Sequence, residues 1–126
     1  MNLEKVIFAF FILLAATLNL GFVYGDLGNA AYHNQWELFL AIFVNLIAAV
    51  LKFGDRTHVG AVHLASSLVA ILQLAAATLL WIIAAESDTP LTPGSMAAIV
   101  SLAAGALLAN TVSVVIMVVE TTMQRR

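Results

Sequence analysis

Eight polar side chains interrupt long apolar stretches of this sequence: Asn45, Lys52, His63, Ser66, Ser67, Gln73, Asn110 and Ser113. An ionisable or amide group at membrane depth is unfavourable unless it finds a partner, which makes each a candidate for function. Counting inward from the charged ends of the stretches gives their depth. Asn45 lies seven residues before Lys52, His63 five after His58, and Ser66 and Ser67 slightly deeper. Asn110 and Ser113 lie ten and seven residues before Glu120, so these groups gather in one half of the membrane thickness. Asn45 and Lys52 share a helix face at that spacing, and Asn110, Ser113 and Glu120 follow the same logic. Two arrangements fit. One is a polar cavity open to one side, acting as an ion vestibule, an anion site or a docking face. The other is the commoner use of such residues, a set of interhelical hydrogen bonds worth ~1 kcal/mol each, with Lys52 and Glu120 reaching the headgroups. His63 can change its charge near neutral pH, although a lone intramembrane histidine more commonly makes a structural hydrogen bond.

Other chemistries find no residues to perform them. The chain has no cysteine, which excludes disulfides, thiolate metal sites, covalent haem attachment and cysteine nucleophiles. His33 and Glu37 stand four apart with Asp26 nearby, but no second histidine is in register, so solvation is expected rather than metal binding. His58 and His63, five apart, point in different directions on a helix. No Ser-His-Asp set, phosphate-cradling glycine loop or paired intramembrane carboxylate can be assembled, so a non-enzymatic protein without metal or cofactor is expected. Five Lys and Arg against seven Asp and Glu form no basic face for nucleic acid.

Composition says what must position the polar residues. Of 126 residues, 63% are hydrophobic and 10% charged, and the mean hydropathy is +1.03. So few charges cannot coat a water-soluble globule of this size, and the chain reads as an all-α membrane protein. Four apolar runs predict helices over about 4–24, 36–53, 57–85 and 95–121, in one transmembrane domain covering 1–126. The second run is strictly apolar only from Leu38 to Leu51, about 21 Å of helix, but Trp36 and a snorkelling Lys52 extend it to a full span. Lys5 and the first run could begin a signal peptide, yet 18 apolar residues and no A-x-A site predict an uncleaved helix. Gly54 is expected to end the second helix in a left-handed conformation, Asp55 or Thr57 to cap the third, and Ser95 to cap the fourth.

With four spans, Lys5, Lys52, Arg56, Arg125 and Arg126 all fall on one side. The connections Gly25–Trp36 and Glu86–Ser95 hold no basic residue, so the positive-inside rule places both termini in the cytoplasm. Tyr24, Tyr32, Trp36 and Trp81 then lie near the outer interface, where such rings prefer to sit. None of the acidic residues falls at the bilayer centre.

Close helix packing in lipid depends on small residues and interhelical hydrogen bonds. The fourth helix carries Ala97, Ser101, Gly105, Ala109 and Ser113 at four-residue spacing; the second carries Ala41, Asn45 and Ala49; the third carries Ser66, Ala70, Gln73 and Ala77. These ridges serve either packing within the bundle, the commoner case, or an interface between protomers.

Two resemblances complete the reading. Gly21-Phe-Val-Tyr-Gly-Asp26 resembles the potassium-channel filter in its Tyr24, Gly25 and Asp26, but Val23 replaces the first filter glycine and no pore helix precedes it. A helix end with an interfacial tyrosine is the preferred reading. Over nearly its whole length the chain resembles an uncharacterised family of small four-span bacterial inner-membrane proteins. The likeness rests on residues 1–8, Leu18-Asn-Leu-Gly-Phe22 with Tyr24-Gly-Asp26, Asn45-Leu-Ile47, Leu51-Lys-Phe-Gly-Asp-Arg-Thr57, Ala65-Ser-Ser-Leu-Val69 and Ala106-Leu-Leu-Ala-Asn110. This resemblance implies a bacterial inner membrane and an association with potassium channel or uptake systems. The expectation is an oligomeric inner-membrane protein serving monovalent-cation transport, as a channel or a channel's membrane subunit. The alternative is a structural or regulatory subunit that docks a larger membrane complex without conducting.

Overall fold

The computed structural model describes residues 3–24, 33–54, 57–86 and 92–124. They form four helices, α1 (Leu3–Val23), α2 (Gln35–Lys52), α3 (His58–Glu86) and α4 (Pro93–Gln124), with no strand among them. Each is long and apolar enough to cross a membrane. Even α2, the shortest at 18 residues, reaches about 27 Å. α1 packs against α2 and α4, and α3 against the same two, giving a square up-down-up-down bundle. Tyr32, Asp26, Arg56, Arg125 and Arg126 lie outside the described residues.

Local chemistry sets the helix ends. The Asn34 side chain accepts from Trp36 N at 2.9 Å and starts α2. Thr57 starts α3, its hydroxyl accepting from Gly60 N at 2.9 Å. The expected Ser95 cap of the last helix is corrected to Thr92, whose hydroxyl accepts from Ser95 N at 3.0 Å. Pro93 occupies the first helical position, where its missing N–H costs nothing, so α4 begins two residues earlier than its apolar run implies. Gly54 likewise departs from expectation: it does not adopt the left-handed conformation, and Phe53 before it keeps helical angles, its N–H donating to Val50 O.

The distribution of residue sizes identifies the surrounding solvent. The bundle interior is built from alanines, among them Ala15, Ala48, Ala70, Ala77, Ala103 and Ala106, all 0% exposed. The large apolar side chains face outward: Phe10, Phe43, Leu72 and Leu108, one from each helix, are each at least 60% exposed. In water this surface would aggregate, whereas in lipid it is the solvated face and the small residues allow close helix approach. The chain is a multi-pass integral membrane protein.

Buried residues recur at alternating three and four positions in every helix. α1 buries Phe8, Ile12, Ala15, Asn19 and Phe22, and α3 buries Gly60, His63, Ser67, Ala70, Leu74 and Ala77. α4 follows with Met96, Ile99, Ala103, Ala106, Asn110 and Ser113. This 3.5-residue repeat keeps one seam on the axis, as in left-handed bundles. The ridge read at four-residue spacing is therefore not one face. Each step of four turns about 40° past a full turn, so the ridge winds around α4. Ser101 is exposed, Ala97, Gly105 and Ala109 are half-buried on the flank, and Ser113 reaches the core. On that flank the Gln73 side chain of α3 lies in the space a Gly105 Cβ would fill.

Gly105→Ala is expected to displace the Gln73 amide and lower the unfolding midpoint in detergent. Gln73→Ala in the same chain should recover most of the loss, a coupling of about 0.5–3 kcal/mol in a double-mutant cycle. Strictly additive losses would show that Gln73 does not occupy the notch.

Candidate functional site

Five of the eight sequence candidates reach the bundle axis: Asn45, Ser67, Asn110 and Ser113 are 0% exposed and His63 is 2% exposed. Ser66 does not. Consecutive helical residues point about 100° apart, so Ser66 and Ser67 cannot share a face, and Ser66 lines a shallow groove between α3 and α4 with Ala65, Val69 and Ala109. Gln73 is also off-axis, on the α3–α4 flank described above. Lys52 is half-buried at the end where α1 starts and α4 stops.

One contact set ties all four helices at that end. The Lys52 ammonium (α2) stands 4.4 Å from the centroid of the Phe8 ring (α1). The same ring meets His63 (α3) edge-on at 4.9 Å, and His63 Nδ1 lies 3.1 Å from Ser113 Oγ (α4). Each link is worth on the order of 1 kcal/mol. Lys52 therefore turns onto Phe8 rather than simply reaching the headgroups. Glu120 likewise pairs with Lys5 at 3.3 Å, both side chains being partly exposed, so the pair contributes little stability. Lys5, Phe8, Lys52, His63 and Glu120 line a cavity of about 370 Å³, walled by Val6, Ala9, Met117 and Val118 between the charged heads.

The contacts also fix helix register. His63 against Ser113 and Gln73 against Gly105 align α3 with α4 so that Ser67 lies level with Asn110. Phe8 against His63 brings Ile12 to the same level. The Glu37 carboxylate of α2 occupies the space beside Gly21 of α1, and with Lys52 over Phe8 this aligns α2 so that Asn45 lies level with Ala15 and Asn19 with Ala41. Ascending the axis, the levels carry His63 and Ser113, then Ser67 and Asn110, then Asn45, then Asn19. Above Asn19 the core is apolar, with Phe22, Leu38, Ala77, Met96, Ile99 and Val100 in one buried cluster.

This amide core takes one fully buried polar residue from each helix, and its hydrogen bonding is incomplete. Asn45 Nδ2 donates to Ala41 O at 2.8 Å, one turn back, which leaves its Oδ1 without a protein partner. Ser67 Oγ and both amide atoms of Asn19 and of Asn110 are also buried without one. Such atoms normally hold water or an ion, because leaving each bare costs about 1–3 kcal/mol.

Sequence reasoning left Asn19 out of the cluster. Its seven-residue offset from Ile12, with Ala15 and Phe22 between and beyond, carried the signal. It also left His33 to solvent. His33 is 3% exposed, donates from Nδ1 to Phe22 O in the last turn of α1, and stacks obliquely on the Phe22 ring at 5.6 Å. Helix carbonyls at a C-terminus lack intrahelical donors, and His33 supplies one.

Fold and site together define a four-helix membrane protein with buried polar residues along much of its axis. Residues 32–121 match a family of unknown function, DUF6394, and the chain belongs to that family; the match takes in α2, α3 and most of α4. No curated protein matches the chain. No solved structure matches it.

Without alkali cations present, Asn110→Leu is expected to raise the unfolding midpoint in detergent by the equivalent of about 1 kcal/mol, because it removes two unpartnered buried atoms. A fall of that size would show instead that the amide is bonded to a neighbouring helix.

Proposed function

We propose that this chain is a non-enzymatic, multi-pass protein of the bacterial inner membrane, with both termini cytoplasmic, that serves monovalent-cation transport. It acts as a small channel, with potassium the first ion to test, or as the membrane subunit of one, within a homo-oligomer or a larger complex. The observation that carries this reading is the run of buried, unpartnered amides and a hydroxyl along the axis, Asn110, Ser67, Asn45 and Asn19. Lipid-embedded proteins retain such groups where ions or water pass. The cavity beside Lys5, Lys52, His63 and Glu120 is the cytoplasmic entrance, where two lysines and a glutamate sit around the mouth. The cluster around Phe22, Leu38 and Met96 is a hydrophobic constriction of the kind that gates by dewetting.

Purified protein in liposomes should pass potassium or another alkali ion. Asn45→Leu and Asn110→Leu should cut that flux at least tenfold, and Phe22→Ala should raise it. Flat traces for every monovalent ion tested would eliminate conduction.

The same apolar cluster favours a second reading. In this conformation it closes the axis, as a non-conducting subunit would require. The α3–α4 groove, lined by Ala61, Ala65, Ser66 and Ala109, would then receive a partner's helix at close range. Reproducible co-purification of a second membrane protein, lost in Ala65→Leu, would favour it over transport.

Orientation has its own test, made simple by the absence of cysteine. Single cysteines at Thr57 and Gln124 should resist a membrane-impermeant maleimide in right-side-out vesicles, and one at Trp36 should react. The reverse pattern would invert the topology.

A further inference from the structure

We propose that the amide core binds a partly dehydrated monovalent cation on the adjoining levels of Asn45, Ser67 and Asn110, held by oxygens from α2, α3 and α4. The proposal rests on the transport reading above for its ligand, and on the geometry for its donors. Asn45, Ser67 and Asn110 come from three different helices, are all 0% exposed and lie within one helical turn of one another along the axis, with Asn19 a further turn above. Asn45 shows which end of its amide faces the axis. Its Nδ2 is committed to Ala41 O, so Oδ1 is the atom presented, and that oxygen has no protein partner. Asn110 has neither amide atom engaged, so it can turn its oxygen to the axis without breaking a bond within the protein. Ser67, level with Asn110, adds a hydroxyl oxygen.

The chemistry of the set selects the ligand class. All three donors are neutral. A divalent ion in a low-dielectric core needs carboxylates, and the core levels contain none. Neutral carbonyl-type oxygens can replace part of the hydration shell of a monovalent cation, which is the weaker demand. The surrounding alanines, Ala15, Ala70 and Ala106, keep the backbones near the axis, so short side chains on adjoining levels approach one another. His63 and Ser113 close the level below, which separates the site from the charged mouth, and the Phe22 cluster lies above Asn19.

Binding is read as stabilisation, since a ligand that binds only the folded state raises the unfolding midpoint. The full chain in detergent is unfolded in chloride salts of lithium, sodium, potassium, rubidium, caesium and N-methyl-D-glucamine at constant ionic strength. At least one alkali cation should raise the midpoint saturably by several degrees over N-methyl-D-glucamine. Asn45→Leu and Asn110→Leu should lose that increment, while Ser66→Ala and Glu120→Gln keep it. Equal midpoints in all salts would overturn the proposal without any variant being needed. So would an increment that survives both leucine variants, or one lost only in Glu120→Gln, which would place the ion at the mouth. The two readings fail separately. Saturable stabilisation without liposome flux removes transport and leaves the site; flux without stabilisation removes the site and leaves transport.

Discussion

A polar atom buried in a bundle that itself sits in lipid has no bulk water nearby to satisfy it, and the rest of this structure follows from that constraint. Backbone groups meet it by forming helices, the only open-ended way to cross a bilayer. Side-chain hydroxyls on the surface meet it locally: Ser101, Thr111, Thr121 and Thr122 each donate to the carbonyl four residues back. Asn19, Ser67 and Asn110 do neither, and they lie on the axis rather than at the lipid face. Placing them there, with alanines around them, removes them from hydrocarbon and leaves them facing one another's helices.

The bundle therefore has two different cores along one seam. At the end distal to Lys5 and Glu120 it is packed by Phe22, Leu38, Leu74, Met96 and Ile99, where dispersion contacts accumulate. Toward the other end the apolar core shrinks to Phe8, Ile12 and Ala48, and polar residues take the remaining positions. Phe8 is the part that makes this second half cohere. Its ring holds Lys52 on one helix and His63 on another, and His63 passes the contact to Ser113. An aromatic ring can do this without consuming a hydrogen-bonding group, so the nearby amides are not drawn into closing the bundle end.

Much of this was legible in the residues. Four spans followed from apolar runs, and helix limits were met within two or three residues because the caps lie beside the runs. The polar seam was legible in part, and its failures share one cause. Residues were grouped by depth and by four-residue spacing, whereas the bundle reads a 3.5-residue repeat. That repeat selects Ser67 over Ser66, moves Gly105 to the flank, and adds Asn19 to the axis. The Lys5–Glu120 pair and the seat of Lys52 on Phe8 join opposite ends of the chain or different helices, and no local pattern encodes such contacts. His33 was hidden for the same reason, since its partner is a backbone carbonyl eleven residues away.

The division of the seam also bears on why the amides are there at all. A bundle selected for stability alone would do better with apolar side chains at Asn19, Asn45 and Asn110, because burying an unmet polar group costs more than a well-made hydrogen bond returns. Alanine and leucine already fill the equivalent levels nearer Phe22, so the fold can plainly accommodate them. Specifying the helix register offers a competing account, since one buried polar residue can do that. Here, however, register is already set by the Phe8, His63 and Ser113 contacts at one end and by Glu37 beside Gly21 at the other. Four polar residues, one from each helix and on adjoining levels, exceed what registration requires. The excess falls where a solvent or ion entering from the charged mouth would first leave bulk water, and it ends where the core turns apolar.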